Sequence, residues 1–165
     1  MPVASSDIQY RLSGGASNTV AAASLGGAKS SQPAPASLFD SVSGAEAAAG
    51  DIEYRCIYVH NASTTDPLTN AVLWLAANTP SASTDIAVGL GASAVNGTES
   101  SVADESSAPP GITFSAAASK AAGIALGTIP VGQHRAVWVR RSVAAGAPSA
   151  GSDGATLRVE CESST

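Results

Sequence analysis

From residue 51 to residue 61 the chain alternates. Ile52, Tyr54, Cys56 and Tyr58 interleave with Glu53, Arg55, Ile57 and Val59, a period of two built from strand-favouring residues. The first half is polar on one face and the second half is apolar on both, which predicts a strand running from an exposed edge into the middle of two packed layers. A second apolar run, 70–78, carries Val72, Leu73, Trp74 and Leu75. The turn-forming stretch 62–67 separates the two, so they are expected to pair antiparallel. Shorter runs bounded by Gly, Pro, Ser or Asn mark strands at 8–12, 38–42, 84–90, 111–115, 123–126, 132–143 and 155–161, nine in all. No segment sustains an apolar stripe at helical spacing, and the Ala-rich stretches 45–49 and 116–122 predict no more than a helical turn each. The expected fold is therefore all-β: a single β-sandwich over 1–165, of jelly-roll or immunoglobulin-like type. Long loops are expected at 13–37, 95–110 and 144–154, and residues 1–7 and 13–37 are candidates for extended arms.

Composition narrows the picture. Apolar residues make up 44% of the 165, but aromatics only 4%, so alanine supplies much of the apolar content and the core must be thin. Charged residues make up 13%, with a net charge of −5 and only two lysines beside six arginines. Such a chain offers no basic face for neutralising phosphates, and nucleic acid is not an expected partner. The N-terminus lacks the basic and apolar regions of a secretory signal, and the longest strictly apolar run, 71–77, is too short to cross a bilayer. The expectation is a chain made in a cytoplasm, with no membrane partner. Cys56 and Cys161 both fall in strand-like segments and are expected as reduced, apolar-like side chains rather than a disulfide.

Catalytic chemistry finds little support, and no catalytic residue, cofactor or metal site is expected. His60 and His134 lack metal-ligand spacing, and no G-x-S-x-G nucleophile elbow occurs. Gly26-Gly27-Ala28-Lys29-Ser30 lacks the glycine directly before lysine that a phosphate loop needs, and reads as a turn with a solvated lysine. Asp104 and Glu105 are expected to face water. Asn96-Gly97 reads as a tight turn. The most pointed feature is 135–141, which places Arg135, Val137, Val139 and Arg141 on one face and Ala136, Trp138 and Arg140 on the other. Two readings fit: an interface strand, because Arg and Trp are enriched at protein contacts, or a sheet strand whose arginines pair with this chain's own acids. The interface candidates are Arg135, Arg140 and Arg141, joined by Lys29 and Phe39.

Several stretches carry a resemblance. Arg11-Leu12-Ser13-Gly14-Gly15-Ala16-Ser17-Asn18, Leu38-Phe39-Asp40-Ser41-Val42-Ser43-Gly44, the run from Gly50 through Val59, and Gly123-Ile124-Ala125-Leu126-Gly127 continuing through Trp138-Val139-Arg140-Arg141 resemble small virion proteins of tailed bacteriophages. These stretches occur in order over most of the chain. The resemblance implies a non-enzymatic, oligomeric β-sandwich on the virion, with the major capsid protein as partner and a capsid decoration or cement role. Neck, tail and fibre proteins use similar sandwiches, and a receptor- or carbohydrate-binding tail module is the alternative it leaves open.

Overall fold

The computed structural model describes residues 3–162. Seven strands are present: β1 (Ile8–Leu12), β2 (Asp51–Asn61), β3 (Leu68–Ala77), β4 (Thr84–Leu90), β5 (Ile124–Ile129), β6 (His134–Val143) and β7 (Thr156–Glu162), with one short helix, α1 (Gly44–Ala49). They form two antiparallel sheets, β1-β2-β6-β4 and β5-β3-β7, packed as the expected β-sandwich. From β2 onward every connection crosses from one sheet to the other.

That alternation corrects one expectation: β2 and β3 do not pair. β2 lies between β1 and β6, and β3 between β5 and β7. Ile57 and Val59 instead join Leu73 and Leu75 in the core between the layers, so each strand buries its apolar residues against the opposite sheet. The turn is fixed by Asn61, whose side-chain amide donates to the carbonyls of Asp66 and Ile129, both at 3.0 Å. Two expected strands are also absent. Residues 38–42 form no strand, and Leu38 and Phe39 pack on the core from a loop. Within 111–115 only Ser115 bonds a strand, bridging Val88 with paired hydrogen bonds of 3.0 and 2.9 Å.

The inner face of the four-stranded sheet is aliphatic, and its outer face carries a second, smaller core of Tyr54, Cys56, Tyr58, Ala136 and Trp138. Two of the long loops, 13–37 and 95–110, cover that outer face, while 144–154 packs at the cleft between the sheets. Residues 13–37, a candidate arm, fold back onto the chain's own sheet. Ser13 and Ser24 hydroxyls donate to the Cys56 carbonyl at 2.8 and 2.6 Å, and the Leu12 and Ala34 amides bond Gln32 and Tyr10 along the outer edge of β1. Of the other candidate arm, residues 1–2 lie outside the described residues, while Ser5–Asp7 make a 3-10 turn and Asp7 accepts from the Ala62 amide at 2.7 Å. The physical reason is hydrogen-bond demand: the outer edge of β1 and the part of β2 that β1 does not reach need partners, and nearby loop carbonyls and hydroxyls meet that need.

Tyr58 is the pin of this outer layer. Its hydroxyl donates to the Gly27 carbonyl at 2.6 Å and accepts from the Glu99 amide at 2.9 Å, so one side chain ties both loops to the sheet. Burial of that phenol pushes its pKa up to about 12. Beside it Glu99 is 4% exposed, and its carboxylate accepts from the amides of Ala92 and Ser93 at 2.9 and 2.8 Å and from Trp138 Nε1 at 3.1 Å. Burial works to raise the Glu99 pKa, but hydrogen bonding from Ser93, first from its side chain, and from Trp138 and Ala92 outweighs it and holds the carboxyl below its ordinary value.

Candidate interaction site

The five interface candidates separate into distinct places. Arg141 and Phe39 both line a cleft of about 1010 Å³ between the two sheets, together with Tyr10, Ile57, Ile86, Val139 and Leu157. Here the own-acid reading of Arg141 applies. Its guanidinium pairs with Glu53, donates to the Asp40 carbonyl, and lies 3.2 Å from the Asp40 carboxylate. Its guanidinium carbon sits 5.0 Å from the Phe39 ring centroid, while that of Arg55 sits 5.3 Å from the same ring.

Neither Glu53 nor Arg55 of β2 lies at an exposed edge, contrary to the pattern-based expectation. Glu53 is 2% exposed and Arg55 1%. Arg55 reaches Glu105 Oε2 at 2.6 Å, so Glu105 is half of an ion pair rather than a purely solvated acid. The backbone reinforces the link, with the Tyr54 amide donating to the Glu105 carbonyl at 2.7 Å. Burial raises the Glu53 pKa, Arg141 pulls it back, and Asp40 and Glu105 push it up again. Glu53 Oε1 is buried without a hydrogen-bond partner. Glu46, Asp51 and Glu53 carry carboxylates within 4.8 Å of one another, the metal-like spacing found among the described residues. Two of the three are already engaged, Glu46 in capping the Ser43 amide at 2.6 Å and Glu53 with Arg141.

Arg140 lies on the outer face with its guanidinium carbon 5.2 Å from the Phe114 ring centroid, half-buried and without a carboxylate partner among the described residues. Arg135 sits at the opposite end of β6, in register with Val59. Lys29 belongs to the loop over Tyr58 and lies near Arg11 and His60, both of which carried no interface assignment in the sequence. Glu99 was also missed, because a single glutamate in a polar loop leaves no periodic signal of burial. Both cysteines are free, Cys56 buried and Cys161 half-buried.

Compared with family models, curated proteins and solved structures, the chain matches none of them. None of the described helices is long and apolar enough to cross a membrane.

Proposed function

We propose that this chain is a structural protein of a tailed-phage virion that binds neighbouring subunits without turning over a substrate. The capsid surface is the favoured location, with the major capsid protein and further copies of this chain as partners. The observation that carries the reading is the second layer: long polar loops are hydrogen-bonded down onto the sandwich through Tyr58, Cys56 and Glu99. A surface ordered before contact loses little entropy on binding, and a rigid body touching two subunits at once gains effective concentration. The phage-like stretches identified in the sequence include the two strands, β2 and β6, that support this layer. A tail, neck or fibre location is the alternative, and sugar binding there would call for aromatic rings presented to solvent. Trp74 and Trp138 are buried, as are Tyr54 and Tyr58.

The test is to count copies per particle by calibrated mass spectrometry in intact virions and in tail-free capsids. Hundreds of copies retained on the capsid support a decoration protein. A few to a few tens of copies lost with the tail would overturn the capsid location and favour the tail module.

A further inference from the structure

The cationic side chains of this molecule fall into two kinds. Arg55, Arg141 and Lys120 have carboxylates within ion-pair distance: Glu105, Glu53 with Asp40, and Glu160. Arg11, Lys29, Arg135, Arg140 and Arg158 have none among the described residues, in a chain holding 13 acids against 8 lysines and arginines, and of these Arg11 and Lys29 lie together. Instead Arg11 donates to the Ser31 carbonyl and to Gln9 Oε1, and Lys29 Nζ lies 3.5 Å from the Ser30 carbonyl. Every acceptor is neutral, so the guanidinium is held in place with its charge uncompensated.

The fold brings these two charges together. In the β1–β2 register Arg11 lies opposite Tyr58 and Gln9 opposite His60, and His60 lies opposite His134 on β6. Lys29 is positioned from both sides, because the Tyr58 hydroxyl bonds the Gly27 carbonyl at 2.6 Å and the Ser30 amide bonds the Leu12 carbonyl at 2.8 Å. The side chains feel one another. Burial and then Arg11 lower the Lys29 pKa, and burial, Lys29 and Arg11 lower that of His60. His60 Nδ1 faces the Gln133 carbonyl at 3.2 Å, and His134 Nε2 faces the Gly97 carbonyl at 3.0 Å.

We propose that Arg11 and Lys29, beside His60, form a docking site for a short carboxylate-bearing segment of a partner protein. Two fixed positive charges on a half-buried surface match one or two carboxylates, and a carboxylate would replace the neutral oxygens that now share the Arg11 fork. Nucleic acid is the poorer fit, since a phosphate backbone needs a track of cations and the chain as a whole carries −5. The proposal is independent of which particle, or which part of it, the chain belongs to.

The probe is an N-acetylated, amidated tetraglutamate peptide titrated calorimetrically against the full chain at low salt and pH 6.5. Tetraglutamine and a single-stranded oligonucleotide are titrated in parallel. Saturable binding of tetraglutamate alone is expected, weakening about tenfold in Arg11→Gln and again in Lys29→Gln, the loss of one charge-assisted contact each. Lys120→Gln, which removes a lysine already paired with Glu160, is expected to bind like the parent. Thermal melts that match the parent's establish that each variant is folded. Failure of tetraglutamate to saturate, binding unchanged in a folded Lys29→Gln, or tighter binding of the oligonucleotide would overturn the proposal.

Discussion

Glu99→Gln isolates the acid that holds the outer layer together. In the parent, Oε1 accepts from the Ala92 amide and Trp138 Nε1, and Oε2 from the Ser93 amide. A glutamine carbonyl in the Oε1 position keeps two of these bonds, but its NH₂ then faces the Ser93 N–H, donor against donor. Losing one hydrogen bond to a charged group costs about 1.5–3 kcal/mol, and weakening the other two to neutral strength adds about 1 kcal/mol or less each. Relief from burying a charge acts in the opposite direction. The carboxyl sits below its ordinary value despite its burial, so the hydrogen bonds win.

A net loss of roughly 2–4 kcal/mol is expected, a large part of a stability of about 5–15 kcal/mol and equivalent to roughly 10 °C in Tm for a chain of this size. The assay is urea unfolding followed by far-UV circular dichroism and tryptophan fluorescence, repeated from pH 7 to pH 3. Because the folded pKa of Glu99 is depressed, its contribution is fully present above the ordinary value of 4.5 and is lost as pH falls through the folded value. The parent should therefore lose stability in that acid window, and Glu99→Gln should lose less there. Glu53 has the opposite sign. Burial raises its pKa, so what it contributes is present below 4.5 and is lost as pH rises through the folded value. A Glu99→Gln protein within about 1 kcal/mol of the parent at pH 7, with the same acid limb, would refute this account of the layer.

Arg141→Ser should cost about 3–5 kcal/mol, because it leaves Glu53 buried without its cation, whereas Arg140→Ser should cost under about 1 kcal/mol; paired urea midpoints decide it, and equal losses would contradict the separation of the two arginines. Gly26→Ala should destabilise by at least about 1 kcal/mol, since the residue has φ +98° and a Cβ there would collide with the Ser100 carbonyl; an unchanged midpoint would argue against this crossing of the two loops. Titration with a thiol reagent should modify Cys161 in the native chain and leave Cys56 untouched until unfolding, because burial pushes the Cys56 thiol well above its ordinary value. Two thiols per chain in denaturant would confirm that both are reduced, and fewer would point to a disulfide.

The strand pattern was legible where one side chain in two carries the signal. Runs 8–12, 51–61 and 84–90 match β1, β2 and β4, and the alternation of 135–141 assigned Val137 and Val139 to one face and Trp138 to the other, as observed. Sheet membership was not legible, because a six-residue turn can close a hairpin or step between layers, and the choice depends on what lies opposite. Two apolar segments were mistaken for strands for a related reason. Leu38, Phe39, Ile112 and Phe114 are apolar because they cover a core, from loops whose backbones bond little of the sheet. At the candidate site the sequence identified Arg141 and Phe39 but not their companions. Asp40, Glu53 and Arg55 converge only through tertiary packing, and charged residues at alternating positions ordinarily mark a solvent face.

The division of labour between the two cores follows from how few large side chains this chain has. The inter-sheet core is built mainly from Val, Leu and Ile, while Tyr54, Tyr58 and Trp138 are placed under the loops. An aromatic beneath a loop supplies both buried area and, in Tyr and Trp, a polar group that can bond the loop's backbone or an acid it carries. Tyr58 and Trp138 do this from neighbouring strands, in contact with Gly27 and with Glu99. The surface outside the four-stranded sheet therefore owes its shape to a few buried hydrogen bonds more than to local loop propensity. A change at Glu99 should consequently reach the Lys29 patch through Tyr58 and Gly27, weakening tetraglutamate binding in Glu99→Gln although Glu99 is not one of the docking residues. Hydrogen exchange that accelerates in residues 24–32 of that variant would establish the coupling, and unchanged exchange there would separate the two loops.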